Sequence, residues 1–133
     1  MREGFRSMAA FAVVLLVAGS ASAQFGHPLK GTWSGEWGPA KDKQMHVLLE
    51  FNWDGKAITG NINPGPKAVP FEKAELDAAN WTVHVEGTGK DASGAPVRYV
   101  IDGKLENIGA YQRILSGTWI EGAKKGDFRV VRN

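Results

Sequence analysis

The sequence contains no cysteine, so neither disulfide bonds nor thiolate metal sites can hold the fold together. It also lacks an excess of one charge, since 16 Lys and Arg stand against 14 Asp and Glu and the two signs are interspersed. Nucleic-acid binding requires a basic stripe that follows the phosphates, and the sequence has none. We therefore expect a fold stabilised by packing and hydrogen bonds alone, with no nucleic-acid partner.

Long apolar runs are missing too, with one exception near the N-terminus. Residues 8–18 are almost wholly apolar, follow the basic residues Arg2 and Arg6, and precede Ala-Ser-Ala at 21–23. The run is shorter than the roughly 20 residues of a transmembrane helix, and its flanks are those of a secretory signal peptide. We expect a signal peptide over 1–23, cleaved on export, and a secreted or periplasmic product without membrane attachment. A retained anchor is the alternative.

Helical periodicity is scarce, whereas apolar and polar residues alternate through much of the remaining chain. The clearest examples are 45–53, 81–86 and 97–106, and this period of two is typical of strands with one buried face. The other predicted strands are 32–37, 58–62, 71–77, 112–120 and 127–132. A chain of this length normally builds one core, so 24–133 is predicted to be a single domain.

Turn residues separate these segments. Asp54-Gly55 is the strongest hairpin signal, because glycine tolerates a positive φ. Proline lacks an N–H, so the stretch 63–70 with its three prolines is predicted to be a stiff loop. Two more connecting stretches are predicted at 87–95 and 121–126.

Eight consecutive short strands without a crossover helix predict an all-β fold, a single eight-stranded antiparallel up-and-down barrel. Closure would remove the exposed strand edges that invite aggregation, and the 17 glycines suit strongly curved strands. Two alternatives stay open at this point. One is a sandwich of seven or eight strands, and the other is a short helix over 71–77, whose composition favours helix.

Two short motifs carry a resemblance to a known family. Gly-Thr-Trp-Ser-Gly opens the first predicted strand at 31–35, and Ser-Gly-Thr-Trp stands at 116–119. With Asp-Gly at 54–55 and Gly-Asp-Phe-Arg at 126–129, they resemble the exported bacterial lipocalin-like barrel domains, which occur alone or ahead of secreted hydrolase domains. The resemblance implies the barrel fold but little about function, and the sequence has no Gly-x-Ser-x-Gly of a hydrolase.

The same resemblance suggests how the barrel closes. In lipocalin-type barrels the tryptophan of Gly-x-Trp is covered by an arginine from the last strand, which implies Trp33 beneath Arg129 or Arg132. A guanidinium over an indole face contributes about 0.5–2 kcal/mol.

Inward-facing aromatic residues are the most suggestive feature for function. By alternation, Phe51, Trp53, Trp81 and Tyr99 project into the predicted interior, and an eight-stranded barrel can hold one small ligand there. We predict that these four residues bind a small, largely apolar ligand. The alternative is that they simply fill the core.

Catalytic and metal-binding patterns are weak. His27 precedes the first strand, while His46 and His84 are predicted on the outer faces of strands that are not neighbours. A metal needs converging ligands, and acid–base catalysis needs titratable groups held in a cleft. We therefore predict no catalytic residue, metal or cofactor, although an enzyme that uses a barrel pocket is kept as a third hypothesis.

The leading hypothesis is thus an exported, non-enzymatic binding module, and the second is a structural or protein-interaction domain with a solid core. An interaction surface would need apolar residues on the outer face. The candidates are Leu48, Val100 and, depending on the orientation of strand 112–120, either Leu115 with Trp119 or Ile114 with Ile120.

Overall fold

A closed barrel of eight antiparallel strands makes up the protein in the computed structural model, which describes residues 27–133. The strands are β1 (Gly31–Gly38), β2 (Met45–Trp53), β3 (Ile58–Ile62), β4 (Val69–Asp77), β5 (Thr82–Lys90), β6 (Pro96–Glu106), β7 (Ile114–Glu121) and β8 (Lys124–Arg132). The predicted barrel is confirmed, and both alternatives, the sandwich and the helix over 71–77, are wrong. The predicted signal peptide over 1–23 lies outside the described residues.

Each strand pairs with its neighbours in sequence order, and β1 closes the ring by pairing with both β2 and β8. Trp33 of β1 lies opposite Leu49 of β2 and Arg132 of β8. We call the end where β1 begins the N-terminal end of the barrel, and the other the far end. Over 27–133 there is no helix long and apolar enough to cross a membrane.

The junction between β3 and β4 is the shortest in the barrel. Only two residue pairs join the strands, Asn61 with Pro70 and Ile62 with Val69. Both pairs lie toward the far end, so β3 and β4 are unpaired toward the N-terminal end. A gap in the barrel wall results.

Two strands extend into predicted loops. β4 begins at Val69 and includes Pro70, which a strand tolerates near its first residue. β5 runs on to Lys90, so the loop before β6 is shorter than predicted. Glycine permits this extension, because a Cβ on Gly89 would lie 2.7 Å from a methyl of Val69 and 3.1 Å from the ring of Tyr99.

The last hairpin is also tighter than predicted. β7 ends at Glu121 and β8 begins at Lys124, so the turn has two residues instead of the predicted stretch 121–126. Gly122 has a φ of 62°, the conformation that tight hairpin turns require and that glycine adopts without steric cost.

Apolar side chains fill the centre of the barrel, and none of the buried residues in the described chain is polar or charged. The buried apolar side chains are those of Leu29, Trp33, Trp37, Val47, Leu49, Phe51, Ile62, Val69, Val83, Val85, Ile101, Leu105, Leu115, Trp119, Phe128 and Val130. Full burial of one such side chain stabilises the fold by about 1.5–3 kcal/mol. The core thereby substitutes for the missing disulfides.

The orientation of β7 resolves the choice that the sequence left open. Leu115 and Trp119 are fully buried, so Ile114 and Ile120 lie on the outer face. Trp119 stacks on Trp37 with ring centroids 5.6 Å apart. The large side chains at this level leave the barrel centre without room for a sizeable ligand.

Close approach between β1 and β8 makes Gly35 a critical position. A Cβ on Gly35 would stand 1.9 Å from the Arg129 carbonyl oxygen, whereas a Cβ on Gly109 would meet nothing within 4 Å. We expect Gly35→Ala to lower the free energy of unfolding by about 3 kcal/mol because backbone must shift. Urea denaturation, with Gly109→Ala as the control, tests this. Equal stability of the two variants would contradict it.

Candidate functional site

The N-terminal end of the barrel is closed by residues 28–30 (Pro-Leu-Lys), which we call the plug. Its central residue, Leu29, is fully buried against the core. The three successive plug carbonyls accept hydrogen bonds from three side chains: Arg113 Nη1 donates to the first at 2.7 Å, Trp33 Nε1 to the second at 2.8 Å, and Arg132 Nε to the third at 2.8 Å. Bonds from charged donors are stronger than neutral ones, so the plug is firmly held.

The residues predicted to close the barrel divide between two places. Trp33 and Arg132 lie opposite each other at the N-terminal end, and both bind the plug. Arg129 lies opposite Glu36 on the exposed outer surface and takes no part in closing this end. The further arginine at the plug is Arg113, which also donates to the Ile108 carbonyl at 3.0 Å. Sequence reasoning missed Arg113 because it placed this residue inside the predicted strand 112–120, whereas β7 begins at Ile114 and Arg113 lies in the loop before it.

The four aromatic residues predicted to bind a ligand do not converge. Phe51 is buried among the core side chains. Tyr99 lies toward the far end, edge-on to Trp119 with centroids 6.5 Å apart. Only Trp53 and Trp81 lie together, where they line one cleft at the N-terminal end. Alternation along a strand gives the face of a side chain but not its height in the barrel, so the sequence could not separate them.

The cleft occupies about 540 Å³ beside the plug, at the gap between β3 and β4. Its surface is mainly apolar, and the charged residues Lys56 and Glu75 also border it. The principal lining residues are Trp53, Ile58, Ala74, Leu76, Trp81 and His27. An apolar cleft of several hundred cubic ångströms with few polar groups is the usual form of a small-molecule site.

The first side of the cleft comes from the β2–β3 hairpin. Trp53 and Ile58 are paired across its base. Asp54 holds the turn, because its Oδ1 accepts hydrogen bonds from the backbone N–H groups of Lys56 at 2.8 Å and Ala57 at 2.7 Å. The same bonds lower the pKa of the Asp54 carboxyl, since they favour its charged form. The turn that the sequence predicted therefore fixes the position of Trp53.

The second side comes from the turn between β4 and β5, where Trp81 has a φ of 55°. A bulky residue rarely adopts this left-handed conformation, which costs on the order of 1–3 kcal/mol. The Trp81 carbonyl accepts a hydrogen bond from the Leu105 N–H at 2.8 Å, which ties the strained residue to β6. Asp77 supports the turn by accepting a bond from the Ala79 N–H at 3.0 Å.

His27 lies against Trp53 at the cleft. The two rings are stacked, with centroids 4.6 Å apart and planes 28° from parallel. The Leu29 N–H donates to His27 Nδ1 at 3.2 Å, so that nitrogen carries no proton. Burial lowers the pKa of His27, which favours the neutral imidazole. Sequence reasoning placed His27 before the first strand and had no signal for this contact.

A cluster of titratable side chains lies on the outer faces of β4, β5 and β6, and we call it the His84 cluster. His84 lies between two carboxylates, 2.5 Å from Asp102 through Nδ1 and 2.6 Å from Glu86 through Nε2. Arg98 binds Glu86 and also Glu72, the latter at 2.8 Å. The sequence placed His84, Glu86 and Asp102 on outer faces, but it did not show that they are neighbours. In the described chain no group of three or more histidines and carboxylates could hold a metal.

A larger cleft of about 820 Å³ lies on the outer surface near the far end. Polar and charged residues border much of it, including Lys41, Gln44, Asp127 and Arg129. It has no tryptophan among its lining residues, and its surface is more polar than a small-molecule site normally presents. Of these two clefts, the one beside the plug is therefore the better candidate.

Comparison with known proteins adds no assignment: no protein-family model, curated protein or solved structure matches this chain. The functional interpretation therefore depends on the geometry of the cleft and of the plug.

The plug generates a stability prediction. Arg113 supplies hydrogen bonds to two carbonyls, those of Pro28 and Ile108. Arg113→Ala leaves both without this donor, and we expect a loss of about 2 kcal/mol in the free energy of unfolding. Arg129→Ala, on the exposed surface, is the matched control and should change stability by less than about 0.5 kcal/mol. Denaturant titration measures both, and similar losses would refute the role given to the plug.

The His84 cluster leads to a prediction about the pH dependence of stability. Hydrogen bonds to Asp102 and then to Glu86 raise the pKa of His84 above its ordinary value of 6.5. A raised pKa means that the stabilisation is complete below about pH 6.5 and is lost as pH rises through the folded-state pKa. The stability difference between the wild type and His84→Gln should therefore be larger at about pH 5.5 than at about pH 8.5. Urea denaturation at both values tests this, and a pH-independent difference would disprove it.

Proposed function

We propose that this protein is an exported, non-enzymatic barrel that binds a small, largely apolar ligand in the cleft beside the plug. The observation that carries the proposal is the pair Trp53 and Trp81, two half-buried indoles that line a mainly apolar cleft of about 540 Å³. The ligand site proposed here is at the end of the barrel, since large side chains fill its centre.

The energetics of the two indoles support binding. The core buries Trp33, Trp37 and Trp119 completely, whereas Trp53 and Trp81 keep part of their surface in water. Covering apolar surface gains about 25 cal/mol per Å², so a ligand that covers both rings recovers stabilisation that the fold leaves unused. Backbone strain of the kind found at Trp81 also concentrates at functional sites.

The groups at the cleft favour binding over catalysis. His27, Lys56 and Glu75 are its titratable lining residues. General acid–base chemistry needs groups within hydrogen-bond reach of the reacting atoms. His27 accepts a hydrogen bond from the Leu29 N–H at Nδ1 and stacks on Trp53, so its Nδ1 is not available as a base.

Export and family membership are part of the proposal. The signal peptide inferred for 1–23 supports a periplasmic or secreted location. The motifs 31–35 and 116–119 resemble those of exported lipocalin-like barrels, and their glycines have structural roles here. A Cβ on Gly35 would stand 1.9 Å from a β8 carbonyl, and one on Gly117 would stand 2.1 Å from a β6 carbonyl. The motifs therefore mark places where strands approach closely.

A second candidate function is protein interaction through the outer surface. Ile114 of β7 lies opposite Val131 of β8, Val131 lies opposite Ser34 of β1, and Ser34 lies opposite Leu48 of β2. This places three apolar side chains in one outer row, which favours contact with another protein. A change of the three apolar residues to Thr that abolishes self-association or partner binding would support this function.

Ligand binding can be tested with small neutral probes and calorimetry or ligand-observed NMR. We expect apolar probes of about ten carbon atoms to bind the wild type, and Trp53→Leu and Trp81→Leu each to weaken binding about tenfold through loss of aromatic contact. Tyr111→Leu is the matched control, because Tyr111 is an exposed aromatic residue outside the cleft. Binding that survives both tryptophan changes would reject the site, and absence of binding by every probe would reject the function.

A further inference from the structure

The stacking of His27 on Trp53 indicates the class of ligand, provided that the cleft binds a ligand as proposed above. We propose that the ligand is a flat aromatic ring that stacks on Trp53 in the position held by the His27 imidazole. In the described structure the His27 imidazole thus occupies the position that the ligand ring would take.

The face of Trp53 already accepts a planar heteroaromatic ring. The His27 imidazole lies 4.6 Å from it, centroid to centroid, with the planes 28° from parallel. Offset-stacked rings are a favoured arrangement of aromatic pairs. A second flat ring can make the same contact, whereas a puckered or branched group cannot place all its atoms at stacking distance.

His27 is less firmly attached than the plug that follows it. Its ring accepts one hydrogen bond, from the Leu29 N–H at 3.2 Å. The three carbonyls of the plug, by contrast, are each bound by a buried indole or a guanidinium. The imidazole can therefore leave Trp53 without opening the plug or exposing the core.

The filled interior next to the cleft favours a ring over a long chain as the ligand. An aliphatic chain would have to extend into the barrel to bury its length, but Phe51, Trp33 and Leu29 fill that end of the interior. The cleft has to accommodate its ligand beside the plug. A compact flat molecule can cover Trp53 and reach Trp81 within this space.

The charges at the cleft favour a neutral ring. The lining includes one basic residue, Lys56, and one acidic residue, Glu75. They present no excess of charge that would select an anion or a cation. The ring that now stacks on Trp53 is itself disposed to the neutral form, because burial lowers the pKa of His27.

Two probes with the same carbon skeleton test the inference: 2-naphthol, which is flat, and decahydro-2-naphthol, which is puckered. We expect the wild type to bind 2-naphthol about three- to tenfold more tightly, the range that one aromatic stack supplies. Trp53→Leu should remove the preference. In NMR spectra of the wild type, 2-naphthol should shift the Trp53 indole signals by ring current, which keeps the test valid if the variant does not fold.

The second experiment removes the His27 imidazole ring. His27→Ala should bind 2-naphthol about three- to tenfold more tightly than the wild type, because no internal ring competes for Trp53. His46→Ala, on the exposed start of β2, is the control and should not change the affinity.

The outcomes separate the two proposals. Equal affinity for the two probes, or 2-naphthol binding by His27→Ala that is no tighter than by the wild type, would overturn the flat-ring inference and leave the proposed function standing. Failure of both probes to bind, together with failure of the apolar probes above, would overturn the proposed function itself.

Discussion

The hydrogen bond from the Trp33 indole to the Leu29 carbonyl is the contact on which the N-terminal end of the barrel depends. Trp33 is fully buried and its N–H needs a partner, while Leu29, the central residue of the plug, is buried against the core. Arg113 and Arg132 hold the neighbouring carbonyls. Because this end is filled by the plug and the core, the ligand site proposed above lies beside the plug and outside the core.

The cleft beside the plug forms because only a short ladder of residue pairs joins β3 and β4. Two residue pairs join these strands at the far end, and the gap toward the N-terminal end exposes part of Trp53 and Trp81. The filled centre supplies the stability, since a chain without disulfides has no other large source. The binding surface that we propose lies elsewhere, at the gap in the wall.

The candidate site was only partly predictable. Trp53 and Trp81 were identified from alternation, and both line the cleft. Phe51 and Tyr99 were identified by the same reasoning, yet one belongs to the core and the other lies toward the far end, because alternation does not report height along the barrel. His27 contacts Trp53 from a segment without periodicity, so no local pattern could have indicated it.

Alternation located the central part of each strand and the side chains that point inward, as at Val83 and Val85, because a period of two is a local property. Asp54-Gly55 likewise marked its turn. The stagger between strands and the docking of the segment before β1 were fixed only in the folded barrel. These brought Asp102 beside His84 and Arg113, rather than Arg129, to the plug, because such contacts join residues that are distant in the chain.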